Sequence, residues 1–317
     1  MGQGNGKVAA PIMGRREWIM LIILSVLWGG SFFFVKVMVD GGLPPFVIVL
    51  GRVGIAAVIL NIWLLAMRDY MPMTAKTWRD FLILGFLNNV LPFSLIVVGE
   101  QRITSGLASI LNATAPIFTV IVAHFLTETE KLSSHKVFGV LSGFVGVAVL
   151  MGPDALSGLH RADVMGELAC IGAAVCYAFA GVFAKRFKGM NPVKVATGQM
   201  SASSLMLIPL VLICERPWTL PMPSLAAWGA MVGIAVFSTV IAFVLYFHIL
   251  AAAGATNVML VTLLVPVSAL LLGWRFLGEA ITAQSIIGMA IIGFGLAAID
   301  GRVFKLWAKR RRGGSLR

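Results

Sequence analysis

Charge is scarce in this sequence: Asp, Glu, Lys and Arg together make up 12% of 317 residues, where a soluble domain carries about a quarter. That scarcity excludes a soluble enzyme, a disordered tail protein and a coiled coil. Cysteine is also sparse. Cys170, Cys176 and Cys214 lie in apolar runs without C-x-x-C spacing, which leaves a disulfide framework or a zinc site without support. The 4 histidines are dispersed, with no H-x-x-x-H or H-E-x-x-H, and neither a P-loop lysine nor G-x-S-x-G occurs. Metal-assisted hydrolysis and nucleotide-driven chemistry therefore lack their usual residues. No polar stretch is long enough to fold as a separate soluble domain.

What is abundant is apolar: 59% of residues are hydrophobic and the mean hydropathy is +0.95. Crossing a bilayer core of about 30 Å takes about 20 apolar residues in a helix. Ten such spans are expected, at about 17–37, 45–67, 81–99, 103–126, 137–152, 164–184, 193–214, 225–249, 255–274 and 281–300. The runs are long and lack the strict alternation of barrel strands, so they are read as helices. Gly41-Gly42 with Pro44-Pro45, Pro72, Gly152-Pro153, Asn191-Pro192 and Pro217 separate the runs. Pro92, Pro116, Pro209 and Pro266 fall inside them, where a missing N–H can kink a helix. Arg15-Arg16 before the first run resembles a cleaved signal. The run continues to Val37 without an A-x-A site, however, so a retained first helix is expected.

The formal net charge of +12 acquires a meaning from its distribution. Nineteen of the 25 basic residues fall in the N-terminal segment, the even-numbered connections and the tail. Lys36, Arg102, Arg161, Arg216 and Arg275 fall one to each odd-numbered connection. This bias predicts that both termini are cytoplasmic. The basic tail at 301–317 is read as an anchor to anionic headgroups rather than a nucleic-acid arm.

The two halves match at a shift near 149 residues. Trp28 through Lys36 pairs with Tyr177 through Lys185; Gly51-Arg52 with Gly198-Gln199; Pro116 with Pro266; and Glu130, Gly139 and Gly146 with Glu279, Gly288 and Gly295. Five spans per half is an odd number, so the halves enter the membrane from opposite sides. W-G-G-S-F-F-F-V-K at 28–36, P-P-F followed by Arg52, S-I-L-N-A-T-A-P-I-F-T at 109–119 and F-L-G-E at 276–279 resemble the EamA-type repeats of the drug/metabolite transporter superfamily. The resemblance covers about 17–152 and 164–300. It implies an all-α integral membrane protein of ten helices in two inverted five-helix repeats, carrying small metabolites, amino acids or drugs across a bacterial inner membrane. Two departures stand out. Gln199 replaces the arginine in the second half, and F-L-T-E-T-E leaves Glu128 or Glu130 as the acidic position, with the alignment favouring Glu130.

Arg52 is the costliest residue in the chain, at about 2.5–3.5 kcal/mol for a charge at a helix centre. Three readings stand: an anion anchor or gate, a buried ion pair or carbonyl clamp, and a side chain snorkelling to the surface. Asn88 and Asn89 precede Pro92, and since neighbours diverge by about 100° on a helix, one of the two is expected to face the interior. Asn112 and Thr262 sit one turn before Pro116 and Pro266, beside backbone carbonyls the prolines free. Trp28, Tyr177 and Tyr246 lie within spans, placed to line a cavity or to pack. Gly139, Gly143, Gly146, Gly288, Gly293 and Gly295 allow close helix approach, with a homodimer contact as a lesser reading. Glu100 closes the third span, and no acid is expected at mid-span.

The expected function is secondary transport, export or exchange, through a cavity lined mainly by spans 1, 3 and 4 and their partners 6, 8 and 9. Its partners are a small-molecule substrate and the lipid bilayer; no cofactor, metal or nucleic acid is expected. A non-transporting scaffold or sensor and a membrane-embedded enzyme are the rivals.

Overall fold

The computed structural model describes residues 14–126, 134–151, 161–253 and 260–300, and the regular structure within them is helical. Chains that leave water must satisfy every backbone N–H and C=O within the segment, and the helix does so. The first half runs α1 (Arg15–Asp40), α2 (Pro45–Ala66), α3 (Ala75–Glu100), α4 (Ser105–Leu126) and α5 (Ser134–Met151). The second runs α6 (Arg161–Phe183), α7 (Pro192–Glu215), α8 (225–253), α9 (261–277) and α10 (Ala283–Asp300). Among the described residues, 7 helices are long and apolar enough to cross a membrane: α1 to α4 and α6 to α8. Shorter apolar stretches lie in α5, α9 and α10. Glu128, Glu130 and the basic tail lie outside the described residues.

Helix starts follow local chemistry. Pro45 and Pro192 open α2 and α7, where a missing N–H costs nothing. Thr74, Thr104 and Ser224 accept the N–H three residues on and so cap α3, α4 and α8. The connections alternate between two faces, and long-range bonds fix which belong together. Glu215, ending α7, accepts the N–H groups of Phe46 and Val47 at the start of α2, at 2.8 and 2.7 Å. Glu279, just after α9, accepts from Ser105 N at 2.8 Å, Ser105 Oγ at 2.9 Å and Gly106 N at 3.2 Å at the start of α4. Gly278 makes that reach possible by adopting φ +69°, a conformation costly for other residues. These contacts lie on the face of the 41–44 turn. On the opposite face, that of the 67–74 loop, Asp69 after α2 pairs with Lys194 and accepts from Asn191 at the start of α7.

Several helices depart from the plain spans expected. α7 and α9 end in widened π-type turns, at Val211–Glu215 and Gly273–Leu277, and α3 and α8 each contain one mid-helix, at Phe86–Val90 and Val236–Ile241. Pro92 follows the turn in α3 directly, so the missing N–H falls where the ladder is already loosened. α4 is interrupted at Ala113 and Thr114, just before Pro116. Pro266 lies inside α9 without such a break.

α5 and α10 pack along each other, and their glycines explain why. A Cβ on Gly146 would stand 2.9 Å from Ile292 N and 3.1 Å from Gly288 O; one on Gly295 would stand 2.6 Å from Gly139 O and 3.0 Å from Gly143 N. Under the 149-residue shift each contact maps onto the other, so the pair is related by an internal two-fold. Here the glycines serve a contact within one chain.

Gly295→Val should therefore lower thermal stability in detergent by roughly 1–3 kcal/mol, because its obstacles are backbone atoms that cannot rotate away. Gly229→Ala, in α8 with nothing within 4 Å of the added carbon, should hold or gain up to about 1 kcal/mol. Melting followed by tryptophan fluorescence distinguishes them, and equal shifts would contradict the contact.

Candidate functional site

A cavity of about 490 Å³ lies between the two halves, within the roughly 300–1,000 Å³ typical of small-molecule sites. Trp28, Arg52, Asn88 and Asn112 line it from the first half; Tyr177, Tyr246 and Thr262 line it from the second. Pro116 lines it too, whereas Pro92 and Pro266 stand outside the lining. The walls come from α1, α3, α4, α6, α8 and α9, as expected, and also from α2 and α7, through Ile48 and Arg52 and through Val195 and Gln199. Several lining residues are repeat equivalents: Trp28 with Tyr177, Arg52 with Gln199, Asn89 with Ser238, and Asn112 with Thr262.

Arg52 does not snorkel. Its Nη1 donates to Ser31 Oγ of α1 at 2.9 Å and its Nε to Thr239 Oγ1 of α8 at 3.3 Å. The Phe93 ring of α3 lies under the guanidinium, 3.8 Å from its carbon, a cation–π contact. No carboxylate pairs with it among the described residues, so the ion-pair reading is not what the structure presents.

The two mid-helix widened turns, of α3 and α8, both face the cavity. The expectation that one of Asn88 and Asn89 would do so is corrected: both line it, because the wider turn reduces the angle between neighbours. Each also bonds to α7, Asn88 Nδ2 to Gln199 Oε1 and Asn89 Nδ2 to Ser203 Oγ, both at 3.0 Å. In the other turn, Thr239 Oγ1 donates to the Ile234 carbonyl five residues back, satisfying a group the turn would otherwise leave unpaired. Thus Arg52 of α2 and its equivalent Gln199 of α7 each reach the widened turn of the opposite half. Ser31, Phe93, Gln199 and Ser238 were not singled out as site residues from sequence; Gln199 alone carried a signal, as the departure from the repeat.

The aromatic walls include Trp28 and Tyr246, with ring centroids 5.7 Å apart. Asn112 Oδ1 is buried without a hydrogen-bond partner, beside the interruption in α4. The lining nearest the 41–44 face is buried: Val35, Ile48 and Val97 are 3%, 1% and 1% exposed. Toward the other face it reaches Gly181, which is exposed and has nothing within 4 Å of a would-be Cβ. Glu100 closes α3 but is shielded from solvent there. It is fully buried with neither carboxyl oxygen hydrogen-bonded, and Lys36 Nζ donates to its backbone carbonyl at 3.0 Å. Its burial follows from the neighbouring Gly99, which brings α3 against Gly166 and Cys170 of α6. Among the described residues no group of three His, Cys, Asp or Glu is placed to hold a metal ion.

Comparison with known proteins agrees with this geometry. A solved crystal structure aligns with a TM-score of 0.64 over 90% of this chain and 97% of its own, at 21% identity, and shares the fold. The uncharacterized transporter YoaV of Bacillus subtilis is 28% identical over 281 residues, 88% of this chain and 95% of its own. The uncharacterized inner membrane transporter YedA of Escherichia coli K12 is 26% identical over 286 residues, 88% and 89% of the respective chains. The model of the EamA-like transporter family matches twice, at residues 16–152 and 164–299. The chain is a multi-pass membrane protein belonging to the EamA-like transporter family.

Proposed function

We propose that this protein is a secondary transporter that exports or exchanges small metabolites, amino acids or drug-like compounds, exposing one central cavity to each side of the membrane in turn. The observation that carries this reading is a cavity built from equivalent positions of both halves, its lining buried toward one face and reaching exposed Gly181 toward the other. Such an arrangement around a two-fold is what alternating access requires. Nineteen basic residues on one side support cytoplasmic termini, with the 67–74 face inside and the cavity open to the cytoplasm in this state. The described inner membrane location of YedA supports placing it in a bacterial inner membrane.

Two glutamates supply the means of opening the buried face. Glu215 and Glu279 hold the first turns of α2 and α4 by accepting their N–H groups, a favourable site for an anion at a helix N-terminus. Both lie at the rim, where water can replace them. The glutamates thus act as detachable clasps between the halves.

Flux into liposomes, measured across a panel of amino acids, organic acids, amines and toxic cations, tests the reading. Substrate-dependent flux is expected for at least one class, and its complete absence would count heavily against transport. Trp28→Ala and Asn112→Ala should each lower that flux about ten-fold or more while membrane insertion persists. Normal flux in both variants would remove these residues from the path.

A further inference from the structure

The charge inventory of the cavity narrows what can occupy it. A guanidinium carries five N–H donors, and only two donations from Arg52 are made to protein: Nη1 to Ser31 and Nε to Thr239. Nη2 makes no hydrogen bond to protein, yet it is not among the buried polar atoms that lack a partner. It therefore opens onto the cavity that Arg52 lines. The groups that hold the side chain, two hydroxyls and a ring, fix its direction without cancelling its charge. Glu100, buried at the end of α3, makes no salt bridge to Arg52 and does not line the cavity. Asp40 pairs with Lys36, Asp69 with Lys194, and Glu215 and Glu279 with helix starts, and no Asp or Glu is among the residues lining the cavity. The equivalent position in the other half is the neutral Gln199. The cavity thus presents one uncompensated positive charge at a defined place, in surroundings of low dielectric where such a charge acts strongly.

We infer that the solute carries a carboxylate, which docks on the Nη edge of Arg52, and that its organic body lies against the aromatic wall formed by Trp28 and Tyr246. This deepens the transport reading and rests on it. The planar fork of a guanidinium matches the two oxygens of a carboxylate, and charge-assisted bonds of this kind are the strong ones. Phe93, stacked on the flat face of the guanidinium, leaves the edge as the direction of approach. A solute with a fixed positive charge and no acid group meets repulsion at the same point. Arg52 is accordingly the residue that sorts solutes by charge.

The test uses three probes on one carbon skeleton: 3-phenylpropionate, its neutral amide 3-phenylpropionamide, and the cation 3-phenylpropylamine. Binding to the full chain in detergent at neutral pH is measured by titration calorimetry. The carboxylate should bind at least ten-fold more tightly than the amide, and the amine most weakly. In Arg52→Gln, which copies the second repeat, the advantage of carboxylate over amide should vanish while amide binding holds. Arg52→Lys keeps the charge without the fork and should retain part of the preference, so a folding defect in one variant leaves the other to decide. Equal affinities for the three probes, absence of binding by all three at millimolar concentration, or a carboxylate preference that survives Arg52→Gln would each overturn the assignment. Failure of the transport reading looks different: Arg52-dependent carboxylate binding without passage of any organic acid across a liposome membrane.

Discussion

A guanidinium surrounded by apolar helices needs partners from wherever they can be brought, and the position of Arg52 fixes how four helices meet. Its own helix is α2, its hydroxyl partners stand on α1 and α8, and its ring partner stands on α3. Because α8 belongs to the other half, the residue joins the two repeats at the point where the cavity forms. Hydroxyls and a ring stabilise the cation less completely than a carboxylate would, since they bring no opposite charge. The arrangement is therefore stable enough to hold the side chain and incomplete enough to leave it reactive toward an anion. Replacing a hydroxyl by an acid would satisfy the charge and close the site electrostatically.

The repeat supplies the frame, and its imperfections supply the chemistry. The α5–α10 contact is reciprocal down to the glycine pairs, as two-fold packing of duplicated helices demands. The widened turns of α3 and α8 are likewise paired, and so are the side chains that reach them, Arg52 and Gln199. Yet one of those two is charged and the other is not. Asn88 and Asn89 line the cavity from one turn and Ser238 from the other, so amide chemistry in one half is matched by hydroxyl chemistry in the other. A symmetric scaffold can present its cavity to either side; an asymmetric lining makes the cavity bind a solute in one orientation.

Much of this was legible in the sequence, for physical reasons that differ by feature. Long apolar runs and proline or glycine breaks mark helices because a bilayer leaves few alternatives. Arg52 stood out because a charge inside an apolar run is costly, and Trp28, Tyr177, Asn112 and Thr262 because they interrupt such runs away from the ends. The widened turns were not legible: Pro92 signals a disturbance in α3, but nothing comparable lies beside Ser238-Thr239 in α8. Hydropathy placed Glu100 at the end of the third span, and only the packing of α3 on α6 at Gly99 and Gly166 reveals its burial. The clasps of Glu215 and Glu279 join residues about 170 positions apart, a separation that periodicity cannot bridge.

The location of those clasps bears on how the bundle can move at all. Breaking the backbone ladders of the helices at mid-depth would strand N–H and C=O groups in hydrocarbon, each at several kcal/mol. Parting the helices at the 41–44 face exposes the first turns of α2 and α4 to water, which offers oxygen acceptors in place of Glu215 and Glu279. A bond exchanged for a water bond changes the free energy by only about 0.5–1.5 kcal/mol, or about 1.5–3 where a charge is involved. The helix interiors, meanwhile, keep their ladders intact. Where a turn must bend within the core, the widened turns already carry their compensation, as the Thr239 hydroxyl on the Ile234 carbonyl shows. Motion is thus inexpensive at the rim and prepared for at the centre, and the charge that meets the solute lies where these two provisions join.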